Sequence, residues 1–231
     1  MAEKPRDCRA RVSRVLWLNE AVIQVDLAMV EPPEFDFEAG QWVSVRFGKS
    51  ARVYSMASTP STRRALTLCA DILPDGIGSR WFRSLKEGDE VEFSGPTGFF
   101  VFNRADPRRP LFIAEEIGIV PIRSILWDLY QTGFGRPARL FFWGRDRSWL
   151  IYDDEFKKLA RRYPAFTYIP VVGGGVGASK AELLNAVDQA VASTESLIAY
   201  VSGGGEMIKR VREVLMCKGL DRKAIKWEKF W

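Results

Sequence analysis

Histidine is absent from this sequence, and cysteine occurs only at Cys8, Cys69 and Cys217 among 231 residues. Without histidine there is no Ser-His-Asp arrangement and no imidazole to serve as the commonest general base. The cysteines stand far apart and form no C-x-x-C pair. A zinc site therefore lacks its usual nitrogen and sulfur donors. An iron–sulfur cluster needs four thiolates, more than the chain has. No metal site is expected. Long apolar runs are missing too, and none approaches the ~18 residues of a membrane-spanning helix. The stretch Met1 to Asp7 is charged and lacks the apolar core of a signal peptide, so the expected location is the cytoplasm. What chemistry remains must come from a cofactor, from carboxylates or from hydroxyls.

What is present is ample for folding. Hydrophobic residues make up 47% of the chain and charged residues 27%, a balance that builds cores and excludes general disorder. The length suits two domains of roughly 100 residues better than one. Net charge is +5, and the basic residues are spread along the chain. Nucleic-acid binders usually gather them on one stripe, which argues against that class. A basic face for an acidic protein partner and plain solubility both fit the charge.

The first hundred residues read as short strands rich in β-branched and aromatic residues. These are Arg11 to Trp17, Ala21 to Ala28, Trp42 to Phe47, Arg52 to Ala57, Leu66 to Asp71 and Glu90 to Phe93. One short helix fits Ser79 to Leu85. Six strands and one helix predict a small antiparallel β-barrel over residues 1–104. The segment Asn103 to Pro110 reads as a linker. Strands then alternate with helices. The strands are Leu111 to Ala114, Arg139 to Trp143, Thr167 to Val172, Leu197 to Val201 and Ile225 to Trp231. The helices are Pro121 to Gln131, Asp153 to Arg162, Lys180 to Ala192 and Glu206 to Lys218. Such alternation predicts a parallel α/β sheet over 105–231, with ligands at the carboxyl ends of its strands.

Two short segments carry most of the chemical signal. In Arg52-Val53-Tyr54-Ser55, strand geometry puts Arg52 and Tyr54 on one face and Ser55 on the other. An arginine can clamp phosphate, a tyrosine ring can stack and a serine can bond a polar edge. A half-buried strand with a surface arginine explains the same residues. Gly76-Ile77-Gly78-Ser79-Arg80 opens the short helix. A helix start offers free N–H groups and a partial positive charge to an anion. A plain turn with Ser79 as N-cap is the competing reading.

In this order, Arg-x-Tyr-Ser, the glycine–serine helix start, Gly88-Asp89 and Gly95-Pro96-Thr97-Gly98 resemble the ferredoxin–NADP reductase family. The resemblance continues through Gly118-Ile119-Val120-Pro121, Phe141-Phe142-Trp143-Gly144-Arg145, Leu150-Ile151-Tyr152, Glu155-Phe156, Ser202-Gly203 and Glu228-Lys229-Phe230. Each motif is weak alone, and the ordered set spans the chain.

The resemblance implies a barrel that binds FAD and an α/β domain that binds NADH or NADPH, with NADH slightly favoured. It implies that Arg52 meets the pyrophosphate, that Val53 and Tyr54 lie along the flavin, and that Ser55 lies near flavin N5. Cys69, Ala70 and Asp71 would line the ribityl or ring edge, while Ile77, Gly78 and Ser79 cradle the pyrophosphate. Gly118, Pro121, Gly144, Arg145 and Gly203 would belong to the nicotinamide nucleotide's site. Ser202 and Glu228 would be polar partners of the reaction. Phe230 or Trp231 would gate the arrival of nicotinamide. Hydride chemistry of this kind belongs to the cofactors, which suits a chain without histidine. With no cluster domain, electrons would pass to a separate ferredoxin-like protein, an oxygenase component or a small molecule.

The sequence also departs from that family. Its glycine-rich nucleotide loop is replaced by Ala114-Glu115-Glu116-Ile117-Gly118. A carboxylate about 4 Å from a phosphate costs about 4 kcal/mol at an effective dielectric near 20. Ser202 stands where the family usually has cysteine. Two readings follow: nicotinamide nucleotides bind in an altered or weak mode, or the site is degenerate and the chain is an electron-transfer or docking subunit. The length also resembles free-flavin reductases. Gly173-Gly174-Gly175-Val176-Gly177-Ala178 mimics a dinucleotide fingerprint. It follows the third strand of its domain, however, and reads instead as a flexible loop. Asp153 and Asp154 read as a solvated helix start.

Overall fold

A computed structural model describes residues 5–230. Contacts divide the chain into two compact units. One runs to Phe102 and includes Arg123–Gln131, and the other comprises Asn103–Ile122 and the chain from Thr132 onward.

The first unit is a six-stranded antiparallel sheet made of β1 (Arg6–Trp17), β2 (Val22–Glu31), β3 (Trp42–Phe47), β4 (Ser50–Ser55), β5 (Ala65–Asp71) and β6 (Glu90–Thr97). One helix, α1 (Ile77–Ser84), lies between β5 and β6. Period-two burial explains the strands. Cys8, Ala10 and Val12 of β1, Val43 and Val45 of β3, and Val91 and Phe93 of β6 all face one core while their neighbours face out. Strand order is β4-β3-β6-β1-β2-β5. The sheet curls until its two edge strands meet at one antiparallel bridge, Met56 with Leu68, as expected of a small barrel.

The second unit is a five-stranded parallel sheet in the order β11-β10-β7-β8-β9. Its strands are β7 (Arg109–Glu115), β8 (Ala138–Gly144), β9 (Phe166–Val172), β10 (Leu197–Gly203) and β11 (Ile225–Lys229). Helices α2 (Ile119–Gln131), α3 (Asp153–Arg162), α4 (Ala181–Ala190) and α5 (Gly205–Cys217) connect them. Every residue of β10 is buried, the mark of a central parallel strand covered on both faces. Strand β7 begins at Arg109, so Pro110 belongs to it rather than to a linker. A 3-10 turn over Glu116–Gly118 precedes α2, which starts two residues before Pro121. The chain runs outward from β7 to β8 and β9, then returns to the other side for β10 and β11. The carboxyl ends of β7 and β10 therefore flank the point where strand order reverses, the place where such sheets open a ligand crevice.

Candidate functional site

In the first unit the candidate residues converge where the edge strands part. The Met56–Leu68 bridge is extended by a hydrogen bond from the Ala57 N–H to the Thr67 carbonyl, 2.8 Å. Continuing that register sets Ser55 opposite Cys69 and Tyr54 opposite Ala70, yet no further ladder joins β4 to β5 among the described residues. Ser55, Cys69 and Ala70 are buried, while Arg52 and Val53 are exposed. Asp71 ends β5 by accepting from the Leu73 N–H at 2.8 Å, which turns the chain towards α1.

Helix α1 packs its first turn on β4. A Cβ on Gly78 would lie 2.2 Å from Tyr54 Oη and 3.6 Å from Arg52 Cγ, so only glycine permits this approach. The N-cap is Gly76, with no side-chain cap and no acidic residue in the first turn. The helix end thus keeps its N–H groups and partial positive charge for an outside anion. Ser79 is not the cap. It is buried, and its hydroxyl donates to the Pro74 carbonyl. Arg80 turns to Asp75, donating to its carbonyl at 2.8 Å with the carboxylate at 3.7 Å. Arg52 donates to the carbonyl of Ala51 at 2.8 Å and is otherwise exposed. The Tyr54 ring stands edge-on to Phe82, centroids 5.0 Å apart, and tilted to Trp81 at 5.9 Å. Burial pushes its phenol up to about 12, against the opposing pull of Arg52's charge.

Two residues that secure this strand end were not legible in the sequence. Arg123 donates to the Ala57 carbonyl and Ser124 to the Ser58 carbonyl, each at 2.6 Å. Each is 66 residues from its partner, and no local pattern announces the pairing.

In the second unit the switch point holds Gly118, Ser202 and Gly203 in close packing. A Cβ on Gly118 would lie 2.3 Å from the Ser202 carbonyl oxygen and 2.8 Å from the Gly203 nitrogen. One on Gly203 would lie 2.6 Å from Glu115 Cβ. Pro121 is buried in the first turn of α2. Ser202 is fully buried, its hydroxyl has no hydrogen-bond partner among the described residues, and it pairs in register with Glu228 on β11. Phe230 donates its N–H to the Gly203 carbonyl at 3.0 Å. Trp231 lies outside the described residues.

Glu115 and Glu116 are not the two bare carboxylates that the sequence suggested. Glu116 receives both arms of Arg145, at 2.7 and 2.6 Å. The Arg145 guanidinium lies 3.9 Å from the Trp149 ring centroid. Glu115 accepts from the Gly204 N–H at 2.7 Å and faces Lys180 Nζ at 3.1 Å. Glu116 and Glu115 are thus each answered by one cation, Arg145 and Lys180. Glu116 also holds a left-handed backbone, φ 47°, a conformation that costs a non-glycine residue about 1–2 kcal/mol. The bidentate pair with Arg145 offsets that strain. Lys180 was invisible as a partner because it lies at the start of α4, in another loop.

Gly144 ends β8 and is held by the Gly173 N–H, 2.8 Å from its carbonyl. In the glycine loop, Gly175 and Gly177 take left-handed φ values of 107° and 78°, and Val176 is almost fully exposed. Asp153 differs from the solvated helix start that was expected. It is half-buried, accepts from Tyr168 Oη at 2.8 Å and pairs with Lys157.

A barrel with an open helix end and a parallel sheet with a crevice at its switch point together define a two-domain dinucleotide-binding class. Residues 10–102 match the oxidoreductase FAD-binding domain and residues 112–213 the oxidoreductase NAD-binding domain. The chain belongs to the ferredoxin–NADP reductase family.

Among its relatives, ferredoxin–NADP reductase B of Sorangium cellulosum is 28% identical, with 96% of each chain covered. The reductase component of propane 2-monooxygenase from Rhodococcus jostii is 25% identical over 97% of this chain, which spans 64% of that relative's length. The fold is also that of a ferredoxin–NADP+ reductase from Neisseria gonorrhoeae solved with FAD and NADP (TM-score 0.81, 24% identity, 97% and 99% of the two chains).

The residues gathered at the start of α1 suit a flavin dinucleotide. A glycine-lined approach, an uncapped helix end and an exposed arginine meet beside a packed tyrosine, the donor set that a diphosphate with an aromatic ring requires. No described helix is long and apolar enough to cross a membrane.

Proposed function

We propose that this protein is an FAD-containing oxidoreductase that passes electrons between NAD(P)H and a separate acceptor. The observation that carries the reading is the convergence of Arg52, Tyr54 and Gly78 at an uncapped helix start, in a chain that also carries an NAD-binding domain. When bound, FAD would supply a ring that takes up hydride and releases electrons singly or in pairs.

The protein's part is to hold and orient. Arg52 neutralises the diphosphate, and the N–H groups at Ile77, Gly78 and Ser79 complete its cradle. Val53 and Tyr54 pack along the flavin, and Ser55 supports its reactive edge. Cys69, Ala70 and Asp71 line the opposite lip. In the second unit Gly118, Pro121, Gly144, Arg145 and Gly203 receive the nicotinamide nucleotide, with Ser202 and Glu228 as polar partners. Phe230 and Trp231 control its access. Relatives named as reductase components of oxygenases support an acceptor of the ferredoxin or oxygenase-component type. A cytoplasmic location and a preference for NADH over NADPH belong to the same proposal.

Anaerobic mixing with NADH and with NADPH, followed by flavin absorbance, tests it. Bleaching by either nucleotide is expected. A yellow protein bleached by neither supports the second reading, a flavoprotein subunit with a degenerate nicotinamide site. Glu115, which occupies the Gly204 N–H at the switch point, favours that reading. A colourless protein that reduces added flavin points to a free-flavin reductase.

A further inference from the structure

Helix α5 begins at the reversal point of the parallel sheet, where its first N–H groups face the crevice and would attract an anion. One of them is already taken. The Gly204 N–H donates to Glu115 Oε2 at 2.7 Å. Glu115 is 3% exposed, and its Cβ rests where a side chain on Gly203 would otherwise sit. The carboxylate is therefore buried against the helix end. Its other oxygen faces Lys180, whose ammonium also lies 5.0 Å from the Trp143 ring centroid. On either side of Glu115, Ser202 Oγ and Trp143 Nε1 are buried without partners among the described residues. Unpaired buried donors thus stand on the strands beside Glu115, while one N–H of the helix end is held from inside.

We propose that Glu115 is an internal anion that sets the affinity of this unit for pyridine dinucleotides by competing with their diphosphate for the start of α5. Lys180 tunes that competition by offsetting the carboxylate's charge. Glu116 takes no part, because Arg145 binds both of its oxygens. The inference rests on the reading that NAD(P)H binds the second unit. Its consequence is a nucleotide held by moderate affinity and readily released. A helix end with a fixed carboxylate on it offers an arriving phosphate neither its full positive field nor all its donors.

The test uses the flavin-loaded full chain and the NADH concentration dependence of flavin reduction. Glu115→Gln keeps an oxygen for the Gly204 N–H and removes only the charge. It is expected to lower the Kd for NADH about fivefold to tenfold. Lys180→Met strands the carboxylate's charge and is expected to raise Kd by about the same factor. In the Glu115→Gln background the lysine substitution has less charge left to expose, so its effect shrinks. An unchanged or raised Kd in Glu115→Gln, with flavin content and Tm as in the parent, overturns the inference. So do equal losses from Lys180→Met in both backgrounds.

Should Glu115→Gln not fold, Lys180→Met decides alone, because it leaves strand β7 untouched: an unchanged Kd refutes the link. The two levels of inference separate cleanly. If the parent is bleached by NADH but Glu115→Gln binds no tighter, only the competition is wrong. If neither NADH nor NADPH bleaches the parent or the variants, the proposed donor falls and this inference with it.

Discussion

Helices α1 and α5 both start from a glycine N-cap, and the protein treats these two ends in opposite ways. Helix α1 begins after Gly76 with no capping side chain and no acid in its first turn, beside the exposed Arg52. Helix α5 begins after Gly204, whose N–H is held by the buried Glu115. Both ends have the field that favours an anion. The first has no side-chain cap, and the second has one N–H already held by the chain. A resident cofactor needs a cradle that only the ligand satisfies, whereas a nucleotide that enters and leaves each turnover gains from a cradle partly satisfied beforehand. The difference teaches that two glycine-capped helix starts with similar extended backbone can diverge in charge.

The comparison can be broken most forcefully at Gly118. Its missing Cβ would lie 2.3 Å from a buried backbone oxygen, so Gly118→Ala is expected to cost about 3 kcal/mol by overpacking. A denaturant midpoint within error of the parent would show that the switch point yields easily and that its tightness has no bearing on ligand access.

The first unit is tested next by Arg52→Ala. Loss of a charge-assisted bond predicts FAD affinity weaker by roughly 1.5–3 kcal/mol, measured by reconstituting the flavin-free protein. Unchanged affinity removes the open-cradle half of the comparison.

Ser79→Ala should have a smaller effect. It deletes a buried hydroxyl that donates to the Pro74 carbonyl, and a loss of about 1 kcal/mol of stability is expected. Equal stability would mean that the loop before α1 does not depend on that bond.

The smallest effect at neutral pH belongs to Tyr54→Phe. The folded phenol titrates at about 12, raised by burial from its ordinary value of 10.0. A raised pKa contributes stability that is present below the unfolded value and lost as pH climbs through the folded one. The parent should therefore lose stability relative to the phenylalanine variant between pH 10 and about 12. Parallel stability curves across that window would show that the ring is not buried as described.

Much of this arrangement was readable along the chain because it depends on local rules. Alternation at Val43 and Val45, within Trp42 to Phe47, requires a strand with one buried face, whereas the first half of β1, Arg6 to Ala10, was not read as strand. The fully apolar run from Leu197 to Val201 requires a strand covered on both sides. Pro121 could only mark the first turn of a helix. Arg52, Tyr54 and the Gly76–Ser79 turn were legible as a possible anion cradle because strand phase and helix polarity decide which groups point together. The partners of Glu115 and Glu116 were not legible. Their charges are local, but the cations that answer them come from Lys180 and Arg145, on other loops of the sheet.

By itself, then, the sequence determined the elements, the two sheet types and the residue kinds available for chemistry. It also ruled out histidine chemistry. Tertiary structure decided what those residues meet. A carboxylate's worth depends on the charge and donors within a few ångströms of it. Those neighbours are assembled from distant segments only when the strands take their order in the sheet.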